Sequence, residues 1–370
     1  MTFLSVIILL FIFIIFFNSL INILLWNPLE KSPIQDTNLS ILIPARNEEA
    51  NIEKCLNSID TSNNLIKEII VLDDDSNDNT WEILKNMSSS IDKLNLIKGK
   101  KKPEGWSGKS FACYQLSKCA SSDWILFIDA DTELENGGID KIIGYAQRNN
   151  YSMVSAWPKI EMKGISEKIL MPLLNFLVFS SFPAIYSLKS KISSLGLAHG
   201  ACILFNKESY DSLGGHKLVK GSLFEDTELA KKWRLNDEMS VCVNGINIIK
   251  VRMYDSFKNI WLGFEKNSYP AFKNNFYFFI FHIFNFIFFS LPIFFLPLHI
   301  LKINENIFLF ISGLLILLLR IGFSLKFNHP VWTSIFHLFS EIIFLLISLS
   351  SFMKYNFLGG IKWKSRKYGK

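Results

Sequence analysis

Between Phe3 and Leu25 the sequence carries no charged residue, and no Lys or Arg precedes that run. The stretch is long enough to span hydrocarbon and too long for the core of a signal peptide, and no small-residue cleavage site follows it. A retained anchor over residues 1–27 is therefore expected. Cysteine is scarce, with five in 370 residues (Cys55, Cys113, Cys119, Cys202, Cys242). The number is odd, the positions avoid the apolar runs, and no close metal-ligand spacing occurs, so reduced thiols in a cytosolic domain are expected. Also missing are an internal repeat, a low-complexity linker in the central part, and any basic stripe interleaved with aromatics. With a formal charge of only +6, anionic lipid headgroups are better partners for the basic residues than nucleic acid, which is set aside.

What is present is apolar: 49% hydrophobic residues, 14% aromatics and a mean hydropathy of +0.25. The chain is too apolar for an ordinary soluble protein and too charged in its middle to lie wholly in lipid, which predicts a water-facing domain plus membrane segments. Three more apolar runs follow, at about 274–300, 307–325 and 331–352, and then a basic tail, 353–370, with Lys362, Lys364, Arg366, Lys367 and Lys370. Lys31, just past the first run, places the middle of the chain in the cytosol by the positive-inside rule, at a multi-pass cell membrane. The same rule prefers the tail on the cytosolic side. That requires an even number of C-terminal crossings, whereas the three apolar runs would make three; two or three are expected, and 274–300, with Pro292 and Pro297, is the one in question.

A further uncharged run occupies 169–187. A single crossing there would put Asp131 and Asp226 on opposite sides of the bilayer, so an interfacial or re-entrant segment is expected, with Pro172 and Pro183 near its ends. Phe257, Ile260, Trp261 and Phe264 recur at helical spacing beside Lys258 and Lys266, the pattern either of a helix in the headgroup plane or of an ordinary core helix. Glu341 sits inside the last run with His337 one turn earlier, which reads either as a functional intramembrane group or as a Glu–His hydrogen bond within one helix.

The central part alternates strand and helix. Leu39–Ile43, Glu68–Leu72, Leu94–Ile97 and Trp124–Ile128 read as strands. Between them Ile52, Cys55, Leu56 and Ile59, then Trp81, Leu84 and Met87, then Ala112, Leu116 and Cys119 mark inward helix faces. Such an order predicts an α/β fold with a mostly parallel sheet, whose ligands bind at the carboxyl ends of the strands.

Acidic clusters stand at two of those ends. Asp73-Asp74-Asp75-Ser76-Asn77-Asp78 supplies helix-capping and turn acceptors, yet a cap needs one carboxylate and three in a row repel one another. A base-edge N–H or a ribose hydroxyl suits the surplus. Asp129-Ala130-Asp131 is either a solvated turn or, with residues i and i+2 aimed to one side of an extended chain, a pair that needs a cation. Mg²⁺ or Mn²⁺ fits, because it takes one or two carboxylates and completes its shell with water and substrate phosphates. A third cluster, Phe224-Glu225-Asp226-Thr227, enters a helix with Leu229 and Trp233 on one face. It reads as dipole-favoured acids or as a general base, and Gly214-Gly215-His216 with Gly221 reads as a flexible loop able to bring a carboxylate over a substrate.

Ile41 to Asn51, Val71 to Thr80, Gly105-Trp106-Ser107-Gly108-Lys109, Phe127 to Thr132, Leu213-Gly214-Gly215 and Glu225-Asp226 occur in the order seen in family 2 glycosyltransferases of the GT-A fold, a Rossmann-like architecture, and the resemblance covers roughly residues 38–270. Through Gly105 to Lys109 and Arg252-Met253-Tyr254 the chain looks most like the membrane branch typified by diaponeurosporenoate glucosyltransferase and the hopanoid-associated enzymes. The resemblance implies a hexosyltransferase in which Asp74 contacts the nucleotide base, Ala45 and Glu48 line the nucleoside pocket, and Lys109 lies near nucleoside or diphosphate. It implies that Asp129 faces ribose and metal, Asp131 ligates the metal, Glu225 lies at the substrate, and Asp226 is the base of an inverting displacement. A UDP-sugar would be the donor and a membrane lipid, carotenoid or other terpenoid, the acceptor. Polyprenyl phosphate or diacylglycerol is the alternative acceptor, and a transporter or scaffold with a degenerate nucleotide domain the non-enzymatic alternative. The Gln/Arg-X-X-Arg-Trp motif of processive synthases is replaced by Ser256 to Gly263, which argues against polymer synthesis.

Overall fold

A computed structural model describes residues 2–272, 274–363 and 366–368. Lys364 and Lys370 of the basic tail lie outside the described residues. The chain divides into two compact units, each discontinuous in sequence: Asn27–Glu161 with Tyr186–Met253, and Met1–Trp26 with Met162–Ile185 and Tyr254–Lys370. The boundary thus runs within residues 38–270, and the apolar segment after Glu161 belongs with the apolar helices.

The first unit is built on eight strands: β1 (Leu39–Ala45), β2 (Ile66–Asp73), β3 (Leu94–Lys98), β4 (Trp124–Ile128), β5 (Thr132–Leu134), β6 (Met153–Ile160), β7 (Cys202–Asn206) and β8 (Ser240–Val251). They form one sheet in the order β3-β2-β1-β4-β7-β6-β8-β5. The run β3-β2-β1-β4 is parallel, as the strand and helix alternation predicts, and so is β6 with β8. In contrast, β7 pairs antiparallel with both β4 and β6, and β5 antiparallel with β8. Side chains alternate between two cores: Leu39, Ile41 and Ile43 of β1 enter one and Leu42 the other, while Leu126 and Ile128 of β4 oppose Ile125 and Phe127. Burial on both faces explains why these strands read as unbroken apolar runs. Helices Ile52–Asn57, Thr80–Ser88 and Gly138–Asn149 supply residues to one core, and Gly108–Cys119 and Glu225–Leu235 to the other. Cys119, expected on the inward face, is exposed at the last residue of its helix, while Cys113 and Leu116 are buried.

Among the described residues the second unit holds four helical stretches that by length and composition can cross a membrane: Thr2–Leu25, Asn275–Ile300, Ile307–Lys326 and Val331–Asn356. Their polarity is inverted relative to a water-soluble bundle. In the first, Ser5, Ser19 and Asn22 are buried while Phe3, Phe17 and Leu24 are exposed. Such a pattern suits a lipid surround, where apolar side chains face outward and polar groups must find partners within.

The 169–187 run is broken into helices Ile165–Leu170, Pro172–Ser181 and Ala184–Ser187. Asn22 Nδ2 donates to the carbonyls of Phe179 (2.8 Å) and Phe182 (2.7 Å), and its Oδ1 accepts from Ala184 N (3.0 Å). One side chain thereby satisfies three backbone groups freed by the break. Helix Phe257–Ser268 buries Ile260, Gly263, Glu265 and Ser268, so that of the stripe read in the sequence Ile260 is buried, Trp261 and Phe264 are half-buried and Phe257 is exposed. Fully buried Glu265 accepts from Lys354 Nζ at 2.9 Å.

Candidate active site

Because β7 runs antiparallel to β4, its first residue, Cys202, pairs with Ile128, the last of β4. The chain entering β7 therefore lies beside the chain leaving β4, and Asp129 N donates to Ala201 O across them at 3.2 Å. This brings Gly200 to the Asp129 corner. Lys109 reaches the same point from the first turn of helix Gly108–Cys119, which Ser107 caps by accepting from Ser110 N at 3.2 Å. Its Nζ sits 2.7 and 2.8 Å from the two Asp129 oxygens and 3.2 Å from Glu225 Oε1.

Glu225 and Asp226 open helix Glu225–Leu235, anchored by fully buried Leu229 and Trp233. Asp226 accepts from Gly200 N at 2.8 Å through Oδ2 and from Thr227 N at 2.7 Å through Oδ1. A Cβ on Gly200 would lie 2.7 Å from Lys109 Nζ and 3.4 Å from Asp226 Oδ2, so a side chain there would displace the Lys109 ammonium. Gly200 is the site residue that the sequence reading missed. Its one signal, a glycine immediately before a short apolar strand, takes on meaning only once β7 is known to be antiparallel.

Electrostatics follow from the geometry. Burial and the charge of Glu225 push Asp226 up to about 7, against the pull of Lys109 and the two N–H donors. For Lys109 burial acts downward, but Asp129 and Glu225 prevail and hold the ammonium well above its ordinary range. His199, beside Gly200 and edge-on to Trp157, is driven by burial down to about 4 and is neutral at physiological pH.

The other sequence candidates occupy adjoining strand ends. Ala45 closes β1, its carbonyl accepting from Asp74 N at 2.8 Å, and Asp74 is buried at the end of β2. Glu48 N donates to Thr80 Oγ1, and Glu48 Oε2 accepts from Asn51 at 2.9 Å. The neighbouring acids have structural partners: Asp73 pairs with Lys98 (3.1 Å), Asp75 with Arg46 (3.9 Å), and Asp78 accepts from Thr80 N (3.0 Å).

Asp129 and Asp131 lie in a turn closed by Thr132 N donating to Asp129 O at 3.0 Å, so the extended geometry inferred for the pair does not hold. The two carboxylates nonetheless share one turn, and with Glu48 and Glu133 both add negative potential at the buried Cys55 thiol. Among the described residues no group of three or more His, Cys, Asp or Glu is arranged for a metal. Two oxygen donors still fit a hard divalent cation that draws its other ligands from phosphates and water. A second correction concerns Gly214-Gly215-His216, which is not a flexible loop. Residues Gly215–Val219 form a 3₁₀ turn in which His216 is buried and bonded to Tyr210 at 2.6 Å. Gly215, at φ +49°, is packed so closely on the Tyr210 ring that a Cβ would fall 2.2 Å from it.

Residues 40–214 match the family described as Glycosyl transferase family 2; the match stops before Glu225, so the last two carboxylates rest on geometry alone. A 4,4'-diaponeurosporenoate glycosyltransferase of Staphylococcus haemolyticus (strain JCSC1435) is 31% identical over 234 residues, 62% of this chain and 60% of that protein. The protein of the same name from Staphylococcus aureus (strain USA300) is 29% identical over 238 residues with the same coverage. The chain thus spans 60% of the length of the curated relatives it matches. Among solved structures, the mannosyltransferase PcManGT of Pyrobaculum calidifontis, in complex with GDP-Man and Mn²⁺, superposes with a TM-score of 0.53 at 14% identity, covering 94% of this chain and 99% of that one.

Proposed function

On the premise that residues 40–214 of this chain are a glycosyl transferase family 2 domain of GT-A fold, we propose that the protein transfers a sugar, with inversion, from a nucleotide-sugar to a hydroxyl of a membrane lipid. The observation that carries this reading is the meeting of Lys109, Asp129, Glu225 and Asp226 around Gly200 at the carboxyl end of β4. In an open α/β sheet that is where a ligand sits.

Asp226 has the properties of a general base. It is fixed by two backbone N–H donors and raised to about 7, so it can take a proton from an attacking hydroxyl near neutral pH. Direct attack on the anomeric carbon with departure of the nucleoside diphosphate inverts that carbon. Asp74, Ala45 and Glu48, at the ends of β1 and β2, hold the nucleoside, and Lys109 with Asp129 faces the ribose and diphosphate. Asp129 and Asp131 would hold a divalent cation, which when bound neutralises the diphosphate leaving group. The four apolar helices support a lipid acceptor held at the cell membrane, and the relatives named for diaponeurosporenoate support the carotenoid or terpenoid class. Lys31 beside the first apolar helix supports a cytosolic site supplied with a UDP-sugar.

The test is mass spectrometry of lipids from cells with the gene and without it, alongside a strain carrying Asp226→Asn. A hexosylated terpenoid present only with the intact gene is expected. Identical lipid profiles in all three strains would overturn the proposal.

A further inference from the structure

Within the apolar unit, helix Asn275–Asn285 does not run straight into Leu291–Ile300; the two are joined by a π-helical turn, Phe286–Ser290. Single π turns inside helices often mark functional sites. Beside this one lies a cavity of about 340 Å³, bounded by His282, Asn285 and Phe286 on one side and Glu341, Phe344 and Leu345 on the other. That size falls at the lower end of the usual range for ligand sites, about 300–1,000 Å³.

Its lining is apolar except for four side chains, His282, Asn285, Ser290 and Glu341, and three of these carry a buried atom without a hydrogen-bond partner: His282 Nε2, Asn285 Oδ1 and Glu341 Oε1. Glu341 and Asn285 are each 4% exposed and His282 8%. The intrahelical answer read from the sequence does not satisfy Glu341, because His337 Nε2 is 3.9 Å away, beyond hydrogen-bond reach. Asn285 spends its Nδ2 on the Phe281 carbonyl at 2.8 Å, which leaves its oxygen free. Unpartnered polar atoms are costly in hydrocarbon, and three around one cavity call for a common partner.

The chemistry of that partner follows from the lining. Two of the three atoms are oxygens that accept, and the imidazole nitrogen donates or accepts according to tautomer. A hydroxyl donates one hydrogen and accepts through two lone pairs, so it can donate to one of the two oxygens while accepting from the imidazole N–H. Arg320, buried on helix Ile307–Lys326, already sets a positive charge within electrostatic reach of Glu341, so the ligand need bring none. An ionised carboxylate has no hydrogen to donate to either oxygen. Phe286, Phe294 and Ile342 line the cavity and are also exposed on the outer surface, so an apolar chain can enter from the lipid side.

We infer that this cavity is a binding site for a neutral lipid held by its hydroxyl between Glu341, Asn285 and His282. The site lies wholly within the apolar unit, includes none of the residues assigned to sugar transfer, and does not depend on the transferase reading.

The test uses the full chain in lipid discs and a diazirine analogue of farnesol, without any sugar donor, so that failure of the transferase proposal cannot affect the result. Photolabelling read by peptide mass spectrometry should map to residues 282–295 and 338–345. Farnesol should displace the label, and farnesoic acid and the hydrocarbon farnesane should not. Glu341→Leu should reduce occupancy by about tenfold, the worth of one hydrogen bond, while Glu341→Gln, which keeps a hydrogen-bonding end, should stay within a few-fold of wild type. Leu345→Trp, filling the cavity, should abolish specific labelling; if it fails to run as a monodisperse species, the two Glu341 variants decide alone. Equal displacement by farnesane, or unchanged labelling in Glu341→Leu, would overturn the site. Stronger displacement by farnesoic acid would overturn the neutral hydroxyl class.

Discussion

Replacing Asp226 by Asn should lower sugar transfer by about 10²- to 10⁴-fold, the usual worth of a positioned general base, with donor affinity near wild type. Burial and Glu225 lift Asp226 from its ordinary value of 3.8 to about 7. The base must be ionised to accept a proton, so wild-type kcat/KM should climb about tenfold per pH unit below that value and level off above it. The sign for stability is the reverse. Between 3.8 and about 7 the folded chain keeps a proton that the unfolded chain has lost, so this carboxyl makes stability fall as pH rises through that window. Asn is not a silent replacement here, because both Asp226 oxygens accept backbone N–H groups, at 2.7 and 2.8 Å. An amide has one acceptor, so its NH₂ must face a donor, at a cost of about 1–3 kcal/mol. The assay is therefore initial rates in lipid discs from about pH 5.5 to about 9, with donor affinity by calorimetry and thermal unfolding as the fold control. Turnover within tenfold of wild type, with the acid limb still present, would refute the assignment and reduce Asp226 to a helix-start residue.

Glu225→Gln should move the acid limb to lower pH, since a negative neighbour that raises Asp226 is gone, and Lys109→Met should move it to higher pH by removing the opposing positive charge; shifts in one common direction would show that the limb belongs to another group. Asp131→Ala should abolish the Mn²⁺ dependence of nucleotide binding measured by calorimetry, and an unchanged dependence would remove Asp131 from any metal role. Lys354→Met should leave the fully buried Glu265 carboxylate with Trp261 and Ser350 as donors but no cation and cost about 1–3 kcal/mol of stability, read as a lowered midpoint of unfolding in detergent. A cysteine placed at Tyr368 should react with a membrane-impermeant reagent only after cells are opened if the tail is cytosolic; labelling in intact cells would put it on the other side.

The parallel half of the sheet was legible because strands buried on both faces must be apolar throughout and must end where the chain returns to water. Hence β1 to β4, and the acids at their ends, could be read within a residue or two. Strand direction was not legible. Cys202–Asn206 is as apolar as β4, and nothing local tells an antiparallel insertion from another parallel strand. Gly200 was missed for that reason, and the helix start at Glu225 could be seen without knowing what it faced. Gly214, Gly215, His216 and Gly221 read as a flexible loop, whereas the fold packs Gly215 and His216 tightly on Tyr210, because glycine serves close approach as readily as freedom.

In the apolar unit the limits of reading are of another kind. Hydropathy finds the long helices because a window average ignores single polar residues, and those residues are what organise the helices inside. Asn22 closes the break at Phe182, Arg320 passes unnoticed within a run of leucines, and Asn285 precedes the π turn beside the cavity. In water such residues would scatter to the surface. In hydrocarbon each must be answered by backbone, side chain or ligand, so the polar residue buried in an apolar run carries more information than the run itself. Asn22 has three backbone partners, whereas Glu341 Oε1, His282 Nε2 and Asn285 Oδ1 have none in the protein. The same rule that explains the first as a structural clasp assigns the others to a ligand.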